Sequence, residues 1–159
     1  MDLRLPQDFR ELFESLNAKN VEYLLLGGYA VIGHGHVRNT SDLDIAVREG
    51  RESVEKLVSA IEDFGFPVDE AEVARLLSPN NIVQMGVEPM LIEILNYMKG
   101  VTFDEAYSRR VIGRDGKVEI DVISLSDLIA NKKAVGRLKD LADVEGLEKV
   151  NELPSSLPQ

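Results

Sequence analysis

Hydrophobic positions change repeatedly between helical and strand spacing along the chain. Amphipathic or short apolar stretches predict helices over residues 7–19, 29–33, 51–64, 70–77, 103–109, 125–135 and 138–150. Apolar or alternating runs predict strands over residues 21–26, 42–47, 81–85, 90–95, 110–112 and 117–123. Helices and strands interspersed in this way favour an α/β or α+β fold, with a mixed β-sheet flanked by helices.

The chain shows no boundary between domains. Its 159 residues fit a single domain, and a hydrophobic fraction of 44% is enough to form a core. We therefore predict one domain over residues 1–152. The last segment, residues 153–159, contains two Pro and two Ser and is expected to be a flexible tail.

Composition limits the possible chemistry. The chain has no Cys, which excludes thiol catalysis and thiolate metal sites. It has no apolar run of membrane-spanning length, and its first residues do not resemble a signal peptide, so we expect a cytoplasmic protein without membrane contact. A net charge of −10 argues against a general nucleic-acid binder, yet it allows one triphosphate to bind with Mg²⁺ and a few cations.

The most informative segment is the stretch over residues 24–47, which reads LLLGGYAVIGHGHVRNTSDLDIAV. A buried strand leads into Gly27-Gly28, where the absence of side chains lets a phosphate approach the backbone and the start of a short helix. The next strand presents Asp42 and Asp44 on one face because side chains two residues apart point the same way. Two such carboxylates suit Mg²⁺, which binds carboxylates, water and substrate phosphates.

These residues resemble those of a known family. Arg38, Thr40, Asp42 and Asp44 form an Arg-x-Thr-x-Asp-x-Asp pattern after the Gly-Gly turn. A late block carries Asp127, Asn131, Lys132, Gly136, Arg137, Lys139, Asp140 and Asp143. Over residues 22–147 the chain resembles the polymerase-β-like nucleotidyltransferase superfamily, especially its minimal bacterial and archaeal members, including those in toxin–antitoxin and abortive-infection pairs. The resemblance implies the nucleotidyltransferase fold with C-terminal helices.

The resemblance also implies roles for particular residues. Glu93, the only acid in an apolar strand, matches a third carboxylate that is more often Asp in the family, so Asp42, Asp44 and Glu93 are the expected catalytic residues and ligands of Mg²⁺ or Mn²⁺. Tyr29 stands where many members have Ser. The expected nucleotide-binding residues are Gly27, Gly28, Arg38, Thr40, Lys132, Arg137 and Lys139.

Two functions follow from this resemblance. The first is a nucleotidyltransferase that moves a nucleoside monophosphate (NMP) from a nucleoside triphosphate (NTP) to a hydroxyl acceptor, which is an RNA end, a protein or a small molecule. The alternative is a non-catalytic nucleotide-binding or partner-binding module that keeps the fold, and Tyr29 and Glu93 favour it. A homodimer or a toxin–antitoxin partner would supply the recognition surface for which the chain has no separate domain.

Simpler interpretations of the same residues remain open at this stage. Asp42 and Asp44 are then ordinary surface acids at a strand end, and Glu93 is a core acid held by a salt bridge. The cations of the late block are then a solvated helix face, and Gly27-Gly28 is only a tight turn. The pair formed by His34 and His36 is not expected to bind zinc, because the chain has no third nitrogen ligand.

Overall fold

A six-stranded sheet forms the centre of the protein, as seen in a computed structural model that describes residues 1–158. The helices are α1 (Gln7–Ala18), α2 (Gly27–Gly33), α3 (Arg51–Phe64), α4 (Glu70–Leu77), α5 (Phe103–Ser108), α6 (Leu125–Val135) and α7 (Leu138–Val150). The strands are β1 (Tyr23–Leu25), β2 (Leu43–Val47), β3 (Ile82–Met85), β4 (Ile92–Leu95), β5 (Val111–Asp115) and β6 (Val118–Val122). Their order in the sheet is β3-β4-β2-β1-β6-β5.

The sheet is mixed, which confirms the predicted fold class. Strands β2 and β4 run parallel, as do β1 and β6, whereas the other neighbours are antiparallel. The two parallel pairs join segments that are distant in sequence, because a parallel pair needs a crossover connection. None of the helices within residues 1–158 is both long enough and apolar enough to cross a membrane.

The sheet is covered by helices whose apolar faces match the predicted spacing. Phe9 and Phe13 of α1 and Leu57 of α3 are almost fully buried. Phe13 lies against Tyr23 of β1 with 5.2 Å between ring centroids. Burying one such side chain stabilises the fold by about 2 kcal/mol, so this layer anchors the strands that carry the acidic residues.

Several boundaries differ by a few residues from the sequence prediction, and two of these differences affect turns. Helix α2 begins at Gly27 rather than residue 29, because Gly27 has a φ of +62° that turns the chain directly out of β1. The β5–β6 turn lies at residues 116–117 rather than 114–116, since Asp115 pairs with Val118 and its carboxylate accepts a hydrogen bond from the Leu5 amide. That contact holds Asp115 in the strand.

The link between the last two helices is short and specific. Ser124 caps α6 by accepting a hydrogen bond from the Asp127 amide, and Gly136 ends it in the left-handed conformation at a φ of +73°. Helix α7 then starts at Leu138. This reversal brings Lys132 of α6 beside the first turns of α7.

The chain after α7 folds back on that helix. The Ser156 amide donates to the Glu148 carboxylate at 3.0 Å, and the Leu153 amide donates to the Glu148 carbonyl. The predicted flexible tail over residues 153–159 includes Gln159, which lies outside the described residues.

Candidate active site

The register of the sheet brings two of the expected catalytic acids together. Asp44 of β2 lies directly opposite Glu93 of β4 in the parallel pair, so both side chains are on the same face of the sheet. Gln84 of β3 lies opposite Glu93 on its other side and donates a hydrogen bond of 2.9 Å to Glu93 Oε1. Glu93 is therefore held between a neighbouring carboxylate and an amide.

Asp44 is half-buried, and no neighbouring donor compensates the burial of one of its carboxylate oxygens. Its Oδ1 atom is buried and has no hydrogen-bond partner among residues 1–158. Burial, followed by the contact with Glu93 and the charge of Asp42, raises the pKa of Asp44 to about 7. A buried carboxylate oxygen without a donor is costly unless a proton or a cation satisfies it. Asp44 is thus placed where either a proton or a cation would stabilise its carboxylate.

Asp42 lies just outside this pair. It precedes β2, and its Oδ1 atom accepts a hydrogen bond of 3.2 Å from Ser41. As the side chains stand, no three His, Asp or Glu residues within residues 1–158 are grouped closely enough to hold a metal ion. The structure therefore joins Asp44 and Glu93, and it places Asp42 at the edge of the same site.

A fourth carboxylate approaches the site from the β3–β4 turn. Desolvation, followed by the charge of Asp42, raises the pKa of Glu88. The sequence analysis did not identify Glu88, since an acid in a predicted turn is most often a surface residue. Its position near Asp42 depends on the pairing of β2 with β4.

Gly27 and Gly28 allow β2 and the segment just before it to pack against the start of α2. A Cβ atom on Gly27 would collide with the carboxylate of Asp44, and one on Gly28 would collide with the side chain of Thr40. The Leu26 amide also donates to the Asp44 carbonyl at 2.9 Å. The two glycines are therefore needed for the close approach of Asp44, and they are more than a tight turn.

We expect Gly27→Ala to impair both folding and activity. Gly116 is a matched control, because its φ of +63° equals that of Gly27 within a degree while no atom lies within 4 Å of its Cβ position. Both variants carry the backbone strain of about 1 kcal/mol, but only Gly27→Ala displaces Asp44. Thermal unfolding and nucleotide turnover of the two variants measure the difference. Equal behaviour of the two would show that Asp44 tolerates the methyl group.

Two buried acids, Asp140 and Asp143, hold Arg38 and two cations of the late block, Lys132 and Arg137. Arg38 donates to both oxygens of Asp143, at 2.7 Å and 2.9 Å. Lys132 lies 2.9 Å from Asp143 and 3.3 Å from Asp140, and Arg137 donates to Asp140 at 2.7 Å. These five side chains form one network of alternating charge, which joins the segment before β2 to α6 and α7.

The network is largely shielded from solvent. Lys132, Asp140 and Asp143 are 7%, 1% and 3% exposed. Burial alone would raise the pKa of Asp143, but the hydrogen bonds from Arg38 and Lys132 outweigh it and hold the pKa below its usual value. A solvated helix face is therefore the wrong interpretation for Lys132. Of the three cations of the late block, only Lys139 is exposed without a carboxylate partner among residues 1–158.

Two adjoining cavities meet at Asp44. The smaller, of about 280 Å³, is lined by Glu93 and Gly27, and the larger, of about 420 Å³, by Thr40 and Asp42. The residues that line both are Gly28, Arg38, Asp44, Lys139 and Asp143. Lys132 and Arg137 line the smaller cavity only. All the expected site residues thus border one continuous cleft.

Tyr29 and the two histidines have other partners. The Tyr29 ring packs edge-on against Phe9 at 5.8 Å, and burial followed by the charge of Asp42 raises its pKa. His34 Nε2 lies 2.7 Å from the Ile123 carbonyl oxygen, whereas the His36 ring lies over Gly146. The His34 and His36 side chains are therefore held at different places.

Comparisons with known proteins agree with this architecture. A family model described as a nucleotidyltransferase of unknown function (DUF6036) matches residues 3–154. A comparison with curated proteins gave no significant match.

Solved structures share the fold at low sequence identity. A candidate nucleotidyltransferase from Thermotoga maritima has a TM-score of 0.57 at 17% identity, with 91% of each chain covered. The lincosamide antibiotic adenylyltransferase LnuA, solved with lincomycin bound, has a TM-score of 0.57 at 13% identity over 93% of this chain and 99% of its own. ANT(2")-Ia, solved with adenylyl-2"-tobramycin, has a TM-score of 0.54 at 13% identity over 89% of this chain and 86% of its own. These similarities confirm the predicted fold.

Proposed function

The chain belongs to the DUF6036 family of nucleotidyltransferases, whose model spans residues 3–154, and we propose that it transfers an NMP group from an NTP to a hydroxyl acceptor. The observation that carries this proposal is the Asp44–Glu93 pair at the boundary between the two cavities. A carboxylate pair at the junction of two cavities suits a reaction in which two substrates meet at one phosphorus atom. Family membership favours this enzyme over a non-catalytic module.

We further propose that the enzyme uses Mg²⁺ or Mn²⁺, with Asp42, Asp44 and Glu93 as the protein ligands. The fit rests on the chemistry of the ligand set, which is entirely carboxylate, and on the buried Asp44 Oδ1 atom that no donor satisfies. When bound, the cation neutralises charge on the phosphate oxygens and lowers the repulsion between the acids.

The chain's own side chains account for the remaining tasks. Glu93 accepts the proton of the attacking hydroxyl, and the hydrogen bond from Gln84 fixes the orientation of its carboxylate. The acceptor oxygen forms a bond to the α-phosphorus, the bond from that phosphorus to the bridging oxygen breaks, and pyrophosphate leaves. Arg38 and Lys139 line both cavities, where they can stabilise the negative charge of the phosphates.

We expect Glu93→Gln to reduce transfer about 100-fold while NTP affinity changes little, because the amide cannot accept the proton. The assay follows label from the α-phosphate of each NTP into RNA, protein or small-molecule fractions of a cell extract, with Mg²⁺ or Mn²⁺. Glu119→Gln, in the exposed β5–β6 hairpin, is the matched control and should retain full activity.

Two outcomes would contradict this assignment. Transfer that continues in excess chelator would contradict the proposed requirement for Mg²⁺ or Mn²⁺. NTP binding without label transfer to any of the three fractions would favour the non-catalytic module instead.

A partner protein, as in a toxin–antitoxin pair, is a second candidate acceptor or regulator. The observation in its favour is the exposure of Val37 and Leu138, at 82% and 88%. Both are next in sequence to residues that line the cleft, so a protein bound over the cleft would cover them. Labelling of the protein fraction, lost in Leu138→Ser but not in Val150→Ser, would support this candidate.

A further inference from the structure

The two cavities offer different sides of the reacting phosphorus. Glu93 lines only the smaller cavity, Asp44 lines both, and Ser41 with Asp42 lines only the larger one. In an in-line displacement the attacking oxygen and the leaving pyrophosphate lie on opposite sides of the phosphorus. If Glu93 accepts the proton, the attacking hydroxyl enters from the smaller cavity. The larger, polar cavity is then left for the pyrophosphate side of the NTP.

The smaller cavity has an apolar wall beyond Glu93. Tyr97 and Met98 follow β4 and are half-buried, and Leu95 and Val135 complete the surface. Such a wall suits an aromatic or aliphatic group rather than a fully hydrated sugar. A ligand in this cavity therefore combines a hydroxyl near Glu93 with an apolar portion.

Lys99 stands at the far end of this wall, on a segment that is fixed against α6. The Asn131 side chain donates to the Lys99 carbonyl at 2.9 Å. Gly100, with a φ of +84°, packs so closely that a Cβ atom would lie 2.7 Å from the Ala130 carbonyl oxygen. The Lys99 backbone is thus positioned, while the residue is exposed and lines the smaller cavity.

The smaller cavity is lined by five cationic and four carboxylate side chains, and Lys99 is one of the cations that has no carboxylate partner among residues 1–158. Lys132 and Arg137 are paired with Asp140, whereas Lys99 and Lys139 have no carboxylate partner among residues 1–158. Lys139 borders both cavities and is shared with the phosphates, but Lys99 borders only the smaller one. A buried or half-buried pocket with an unpaired cation selects against cationic ligands.

We propose that the acceptor is a small molecule that carries an anionic group, bound by Lys99, and an apolar group, bound against Tyr97 and Met98. This proposal rests on the proposed function, and it names the acceptor class of the same site. An extended RNA is a poorer fit, because the chain carries a net charge of −10 and would repel a polyanion outside the cavity.

The test uses three probes that share a phenylalkyl group and differ in the polar end group, which is anionic, neutral or cationic: 3-phenylpropanoate, 3-phenylpropanol and 3-phenylpropylamine. Binding is measured by calorimetry on the whole chain, in the presence of saturating non-hydrolysable NTP and Mg²⁺. We expect the carboxylate to bind most tightly and the amine most weakly. Lys99→Met should weaken carboxylate binding about fivefold and leave the alcohol unchanged.

Lys117→Met, at the exposed β5–β6 turn, is the control and should change nothing. Equal or tighter binding of the amine, no effect of Lys99→Met, competition with the nucleotide, or no binding of any probe would each overturn the proposal. Preferential labelling of RNA or protein in the extract assay would overturn it as well. Because probe binding needs no turnover, a failure of the proposed reaction would appear separately, as absence of label transfer.

Discussion

Asp44→Asn is expected to lower nucleotidyl transfer at least about 1,000-fold while making the metal-free protein more stable. Asp44 is the only expected metal ligand whose buried oxygen lacks a donor within residues 1–158, and it lines both cavities. The neutral amide cannot replace a carboxylate toward a hard cation. It does remove the repulsion that Asp44 shares with Glu93 and Asp42. We expect a gain of about 2 kcal/mol above neutral pH in chelator.

The raised pKa of Asp44 determines how the stability of the metal-free protein changes with pH. The pKa of Asp44 is about 7 in the folded state, against 3.8 for the ordinary group. Between these values the folded protein binds more protons than the unfolded chain, so its stability falls as pH rises from about 4 toward 7. Asp44→Asn should lack this fall. The unfolding free energies of the variant and the native chain, plotted against pH, should therefore diverge over that interval.

The measurements are label transfer with Mg²⁺ and chemical unfolding in chelator at several pH values. Asp8→Asn, an exposed acid in the first turn of α1, should change neither transfer nor the pH profile. Full activity of Asp44→Asn would refute the proposed role of Asp44. A variant that is less stable than the native chain across the whole pH range would refute the repulsion argument.

The acids of the candidate site could be proposed from the sequence because their signals are local. Gly27-Gly28, Asp42 and Asp44 lie within one short segment, and a lone Glu93 in an apolar strand stands out by its charge. Local spacing also predicted α3 and the start of β4 to within two residues. Strands and helices of this kind are defined by their own hydrophobic pattern.

Contacts between distant segments could not be predicted in the same way. The register that places Asp44 opposite Glu93 joins residues from separate segments, and only the packed sheet fixes it. Without that register nothing in the sequence distinguishes Glu88 from other turn acids, or Tyr97 and Lys99 from other loop residues. The position of β3 at the edge of the sheet, beside β4, is also fixed only by the packed sheet. It brings Gln84 to Glu93.

The late block shows why charge alone misleads. Lys132 and Arg137 have the composition of a solvated helix face, yet Lys132 is buried between two carboxylates. The turn at Gly136 decides this outcome, because it reverses α6 onto α7 and brings Asp140 and Asp143 to Lys132. The acids at Asp140 and Asp143 could have suggested an ion pair with Lys132. They do not indicate that Arg38, from the other end of the chain, also pairs with Asp143.

Asp143→Ala should be the most destabilising single change in the cation network. It removes the two hydrogen bonds that Arg38 donates to Asp143 and one of the two anions beside Lys132, which is only 7% exposed. Removing one partner of a buried ion pair leaves an uncompensated charge and costs about 3 kcal/mol or more. Arg38 would also be released from its place beside Gly28, so transfer should fall together with stability.

Denaturant unfolding at neutral pH measures the loss, and Asp63→Ala serves as the reference. Asp63 forms a 3.0 Å ion pair with Lys19, but both side chains are exposed, so its removal should cost less than about 1 kcal/mol. Compared with Asp143→Leu alone, the double variant Asp143→Leu with Lys132→Met should recover part of the stability, because it also removes the buried ammonium group that Asp143→Leu leaves with one anion fewer. If Asp143→Ala is no more destabilising than Asp63→Ala, the network does not stabilise the fold. If the losses of the single variants Asp143→Leu and Lys132→Met simply add up to that of the double variant, Lys132 and Asp143 are not coupled, and Lys132 is held by Asp140 alone.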